Sequence, residues 1–315
     1  MTITRLLLML LALALPGALV SGCGSGDDDT ASATPTATQG AAAIQRDEAN
    51  AKVGLTIGSK NFTEQKVLGE IYAQALEAKG LTVTRQFNIG SRETYLKAIT
   101  GGEVDVLAEY TGSLLNYYDK NAKVVQPDEV YSALQKVVPQ GLTVLDKSAA
   151  EDKNSLAVTK DTAGQWSLKA IPDLAAHQAD LTIGAPPEFK TRQQGLVGLK
   201  SVYNITPKEF RPLQSQATVE ALKNGQVKAA NIFSTDPSIA ANGFVVLDDP
   251  QSLFGSDNVV PLVRTDKADS VKEALNAVSA KLDTPALADM VKQVVVDKKD
   301  ANEVAKTWLA SAGLA

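Results

Sequence analysis

Two stretches of the chain, one starting at Ala98 and the other at Ala221, follow nearly the same pattern, and this constrains the fold more than any other feature. The first reads Ala98-Ile-Thr-Gly-Gly-Glu-Val-Asp-Val-Leu-Ala-Glu-Tyr110-Thr111. The second reads Ala221-Leu-Lys-Asn-Gly-Gln-Val-Lys-Ala-Ala-Asn-Ile-Phe233-Ser234. Each is a helix end, a glycine turn, a short apolar strand, and an aromatic followed by a hydroxyl residue. Helix–glycine–strand units recur in any α/β protein, but here both copies end in the same aromatic-plus-hydroxyl pair. A chain that builds this unit twice builds two similar lobes. Their strand ends then face each other across a cleft, each offering a ring, which suits a ligand clamp better than a covalent catalyst.

The rest of the pattern supports alternating strands and helices. Val53–Gly58 reads as a strand, and Val67, Leu68, Ile71, Tyr72, Ala75 and Leu76 keep helical spacing. Asn61 with Glu64 resembles a capping box for that helix, and Gly80 marks its stop. Strands follow at Leu81–Phe87, Val104–Ala108 and Leu142–Leu145, with helices at Ser91–Ile99 and Pro127–Val138. The fold class expected is α/β, each lobe a mostly parallel sheet flanked by helices. Ser155–Thr159 leaves the first lobe, and Asn258–Arg264 returns to it. Helices at Lys267–Lys281, Pro285–Val295 and Asn302–Ser311 should pack back on that lobe. The expected division is lobe 1 from 53–153 and 257–315 and lobe 2 from 154–256, with a hinge at the crossings.

The chain's beginning reads as an address. Residues 1–22 have Arg5 as a positive start, an apolar run from Leu6 to Leu15, a break at Pro16-Gly17, and small residues after it. That run is short for a spanning helix, which needs about 20 apolar residues, and fits a signal peptide. Val20-Ser21-Gly22-Cys23 fits bacterial lipoprotein processing, so Cys23 is the expected lipidation site. Acyl chains add about 0.8 kcal/mol per buried methylene and would hold the protein at the extracytoplasmic face of the membrane. Residues 23–52, rich in Thr, Ala, Ser, Pro, Gly and Asp, read as a disordered tether.

Cys23 is the only cysteine, so no intrachain disulfide can form. His177 is the only histidine and has no cysteine or histidine partner, which makes a poor metal site. A net charge of −5 without a basic cluster argues against nucleic acid. No nucleophile comes with a plausible base, and no glycine loop suits a phosphate. A non-enzymatic monomer without cofactor is expected.

Specific strings then carry a resemblance. Ile57-Gly-Ser-Lys-Asn-Phe-Thr-Glu-Gln65, Glu109-Tyr-Thr-Gly112, Arg192-Gln-Gln-Gly-Leu196, Phe233-Ser-Thr-Asp236 and Ala305-Lys-Thr-Trp-Leu309 are similar to the osmoprotectant-type substrate-binding proteins of ABC importers. The likeness spans residues 53 to 313 and implies a two-lobed periplasmic-binding-protein fold of the second type. It implies capture of glycine betaine, choline or carnitine in the interlobe cleft and delivery to a permease with its ATPase. In that family aromatic rings cage a quaternary ammonium, whose lack of N–H donors suits ring faces. Tyr110 and Phe233 match two cage positions. The other two fall at Asn154 and near Asp257, where an amide and a carboxylate stand instead of rings. Lys60, Ser113 and Arg192 match residues that would hold a ligand carboxylate. The two substituted cage positions leave open a receptor for another small cation or an amino acid, and a surface sensor using the same cleft also remains.

Overall fold

The computed structural model describes residues 43–315; the leader 1–22, Cys23 and the linker up to residue 42 lie outside them. In chain order the strands are β1 Gly54–Gly58, β2 Thr82–Gln86, β3 Val106–Tyr110, β4 Leu142–Val144, β5 Leu156–Val158, β6 Thr182–Ala185, β7 Glu209–Pro212, β8 Ala229–Asn231, β9 Val245–Val246 and β10 Val259–Arg264. The α-helices are α1 Thr63–Ala78, α2 Arg92–Gly101, α3 Thr111–Tyr118, α4 Pro127–Val137, α5 Lys160–Gln165, α6 Leu196–Tyr203, α7 Gln216–Lys223, α8 Ser238–Asn242, α9 Ala268–Lys281, α10 Thr284–Val295 and α11 Ala301–Ser311.

These strands form two sheets, ordered β2-β1-β3-β10-β4 and β7-β6-β8-β5-β9. In the first, β1 runs parallel to β2 and β3, while β10 is antiparallel to β3 and β4. The second repeats this plan, with β6 parallel to β7 and β8, and β5 antiparallel to β8 and β9. Each sheet is therefore mixed, with one reversed strand among four that share a direction. The reversed strand is the one on which the chain arrives from the other sheet. It starts at the cleft, where β1, β3 and β8 end. The duplicated sequence units occupy matching places, since β3 lies between the parallel β1 and the reversed β10, and β8 between the parallel β6 and the reversed β5.

Helices bury apolar stripes on both faces of each sheet. Along one face of the first sheet, α1 packs with the C-terminal helices, and Leu68, Ile71, Leu275, Leu287 and Leu309 are fully buried there. The other face holds Tyr95, Leu107, Leu114 and Leu134. Each such side chain contributes roughly 1.5–3 kcal/mol relative to leaving it in water. At the end of α1, Gly80 adopts φ +99°, and the Leu81 N–H reaches back to the Leu76 carbonyl at 3.1 Å. A left-handed glycine is the residue that closes a helix this way. Residues Glu48–Lys52, within the segment read as tether, form a 3-10 turn. The turn is docked by the Asp47 N–H on the Lys79 carbonyl at 3.1 Å.

The two sheets are joined at crossing segments that touch each other. The Asp152 N–H donates to the Asp257 carbonyl at 3.1 Å, and Glu151 bridges to Asn258. Among the described residues no helix is long and apolar enough to cross a membrane.

Candidate functional site

A cavity of about 250 Å³ opens between the sheets, and Lys60, Tyr110, Ser113, Asn154, Arg192, Phe233 and Asp257 all line it. The sequence-based expectation thus gathers into one place. The local arrangement of several of these residues nevertheless differs from what the sequence suggested.

Glu109 is the electrostatic centre of the first-lobe wall. It lies in β3, an otherwise apolar strand whose every residue is buried. Its carboxylate accepts from Lys60 Nζ at 2.9 Å, from Arg92 Nε at 2.8 Å and Nη2 at 3.0 Å, from the Tyr95 hydroxyl, and from the Tyr110 N–H at 2.9 Å. Burial opposes its charge, but the Arg92 guanidinium and the Lys60 ammonium overcome this and hold the carboxyl below its ordinary range. Lys60 loses more hydration than its share of that carboxylate returns, and its ammonium is eased down to about 8. The ammonium also sits 4.3 Å from the Tyr110 ring centroid and 5.2 Å from that of Tyr95. In this conformation the protein's own cation covers a Tyr110 face, and Lys60 points to Glu109 rather than to an anion at the start of α1.

The capping role expected of Glu64 is not observed. Phe62 is the N-cap of α1, and no side chain caps it. The Glu64 carboxyl instead turns into the cleft, accepting from the Tyr110 hydroxyl at 2.5 Å and from Thr235 Oγ1 at 2.6 Å. Thr235 Oγ1 also lies 2.9 Å from Asp152 Oδ1. Burial is the main cause that raises the pKa of Glu64, and of Asp152 further still, with the neighbouring Glu64 charge adding to the latter.

In the neighbouring crossing segment, Asp257 accepts the Ser113 N–H at 2.8 Å. The Ser113 hydroxyl lies 2.6 Å from Asp257 Oδ2 and 2.8 Å from Gln194 Oε1, and donates to one of them. Burial pushes the Asp257 carboxyl up to about 6 against these bonds. Asn154 Oδ1 accepts from Asn231 at 3.1 Å. Arg192, its side chain 31% exposed, reaches across the cleft to Glu93 at 3.2 Å. The Phe233 ring stacks on Phe62, so the second ring is partnered as well.

Sequence reasoning missed Phe62, Glu64, Asp152, Gln194 and Thr235 as cleft residues. The strings around Lys60 and Phe233 already contained Phe62, Glu64 and Thr235, which was the available signal. Ser113–Gln194, Glu64–Thr235, Arg192–Glu93, Phe62–Phe233 and Asn61–Gln214 each join the lobes, so this conformation is closed.

Two α/β lobes, joined by two crossing segments and closed over a shared cavity, define the architecture of a periplasmic-type solute receptor. By its match over residues 53–311, the chain belongs to the family described as the substrate binding domain of ABC-type glycine betaine transport systems. It is 27% identical to the glycine betaine-binding protein YehZ of Escherichia coli strain K12, covering 82% of this chain and 90% of that one. It is 26% identical to the ergothioneine transport permease/ergothioneine binding protein EgtU of Helicobacter pylori strain G27, over 82% of this chain. The chain spans about half of that relative's length, 48%. A crystal structure of a glycine betaine/carnitine/choline ABC transporter superposes with a TM-score of 0.65 at 22% identity, covering 82% of this chain and 98% of that one. The relatives' names are those of transport binding proteins, not of enzymes.

Proposed function

We propose that this protein captures a small quaternary-ammonium or zwitterionic solute of the glycine betaine, choline or carnitine kind and hands it to an ABC permease with its ATPase. One observation carries the reading: rings and charges from both lobes line a single cavity of about 250 Å³. Lys60, Tyr110, Ser113 and Asp257 engage the solute from the first-lobe side. Asn154, Arg192 and Phe233 complete its enclosure from the second. Lobe 1 comprises 53–153 and 257–315, and lobe 2 comprises 154–256, with the hinge where Asp152 meets Asp257. A lipid on Cys23 holds the monomer at the extracytoplasmic face of the membrane, which raises its concentration near the permease.

Calorimetric titration with glycine betaine, choline, carnitine and ergothioneine tests the proposal. Micromolar or tighter binding of at least one is expected. A folded protein that binds none of them would overturn the ligand class.

The buried carboxyl at Asp257 favours a second reading, a cation that still carries N–H groups. Asp257→Ala separates the two: it should weaken an amine-bearing ligand strongly and a quaternary ammonium less.

A further inference from the structure

The contact of Glu64, Thr235 and Asp152 joins three parts of the molecule. Glu64 belongs to the first turn of α1, Asp152 to a crossing segment, and Thr235 to the loop between β8 and α8. Thr235 is also tied to the crossing segment through its backbone, its N–H donating to Asp152 Oδ1 at 3.1 Å. Asp152 and Thr235 are thus held together beside the crossing, and Glu64 reaches them from the first turn of α1. All three residues are buried.

The shared hydroxyl limits how the two carboxyls can be protonated. A threonine hydroxyl has one hydrogen to donate. Thr235 Oγ1 lies 2.6 Å from Glu64 Oε2 and 2.9 Å from Asp152 Oδ1. If both carboxyls were ionised, the hydroxyl could satisfy one and would turn a lone pair on the other. Two carboxylates sharing one buried hydroxyl also repel each other. The second oxygen contact becomes a hydrogen bond only when one carboxyl carries a proton.

We propose that Glu64, Thr235 and Asp152 form the clasp of the closed state, and that closing it binds one proton held between the two carboxyls. Facing Glu64 are the Tyr110 hydroxyl from β3, the Lys60 ammonium from the β1–α1 loop, and Asp152. Facing Asp152 are Glu64 and, from the other crossing segment, Asp257. Lys60 lowers the pKa of Glu64, yet burial raises it by more, and the Asp257 charge raises that of Asp152 further.

Opening the lobes returns Glu64 to water, where its carboxyl titrates in the ordinary range. The closed state therefore has the higher affinity for the proton. Its advantage is complete at pH below that ordinary range, and it is lost as pH rises through the raised value of the clasp. For one proton, the closed-to-open ratio falls by up to about tenfold per pH unit in that window. The clasp needs hinged lobes but no particular solute, so it stands apart from the transport reading.

X-ray scattering by the full chain without ligand, across a pH series, tests the clasp. The radius of gyration should increase as pH rises above the ordinary carboxylate range. In Glu64→Gln, whose amide can supply a donor without titrating, that increase should vanish. Thr235→Val serves as a second variant if Glu64→Gln does not fold, and should likewise flatten the dependence. A radius independent of pH in the native protein, or the same dependence in the folded variants, would overturn the clasp.

Discussion

The Phe233 ring lies flat on the Phe62 ring, with centroids 5.4 Å apart and planes 15° from parallel. One ring comes from the loop after β8 and the other from the start of α1, so the stack spans the cleft. Such a pair is worth about 0.5–1.5 kcal/mol beyond the area it buries. Phe62→Ala and Phe233→Ala should therefore be non-additive, with a coupling of that size in a double-mutant cycle read by urea unfolding. Strictly additive losses would mean that the rings do not meet in solution.

Glu109→Gln should be among the most damaging single changes in the first lobe. It removes the shared carboxylate from Lys60 and Arg92 and leaves both cations buried. Breaking such a network from one side costs about 3–5 kcal/mol. Urea unfolding at neutral pH should show this, and a loss under about 1 kcal/mol, the worth of an exposed pair, would contradict the geometry.

Asp257 ties stability to pH with a definite sign. Its carboxyl stands at about 6 in the fold against an ordinary 3.8, so the folded state holds more proton between those values. Its contribution to stability consequently falls as pH rises through that window. Asp257→Asn keeps an acceptor for the Ser113 N–H and abolishes the titration. Relative to the native chain, the variant's stability should improve between pH 4 and pH 7 by on the order of 2 kcal/mol. Denaturation curves at the two pH values supply the comparison, and no relative change would refute it.

Arg192 and Glu93 form a half-exposed pair, and such pairs are worth about 0–1 kcal/mol. Glu93→Ala should thus leave unfolding nearly unchanged. If Arg192→Ala weakens solute binding by more than about tenfold, roughly 1.4 kcal/mol, the arginine contacts the solute as proposed. Equal small effects from both variants would reduce Arg192 to a rim residue.

Gly112 is held by space rather than by its dihedrals. A Cβ there would collide with the Ser256 carbonyl beside the hinge. Gly112→Ala should cost about 1–3 kcal/mol by overpacking and disturb the Ser113–Asp257 contact. Thermal unfolding of the variant checks this.

The repeated helix–glycine–strand unit made the duplication legible, because β3 and β8 take matching places in their sheets. Periodicity also located the C-terminal helices that cover α1. The direction of β5 and β10 was less visible, since strand polarity follows from where the chain enters a sheet and leaves no mark on local pattern. Four cavity residues, Lys60, Tyr110, Arg192 and Phe233, lay within recognisable strings, and Ser113, Asn154 and Asp257 were placed by register beside such strings. The network around Glu109 was not found, because Lys60 before α1, Arg92 and Tyr95 of α2, and Glu109 of β3 come from three parts of the chain that only packing brings together. A single carboxylate within the apolar run of β3 was its one local trace. Glu64 was misread because a glutamate near a helix start has an ordinary local explanation, and only tertiary contacts distinguish the two roles.

The placement of β10 sets the sequence of events during synthesis. It is the sole sheet neighbour of β4 and the link from β4 to β3. A ribosome that has completed β9 has delivered every strand of one half, while the other still lacks its central seam. That half must wait for its missing strand with an edge of β3 open and β4 without any partner, so a truncated product ending before Val259 would expose both as sticky templates for aggregation.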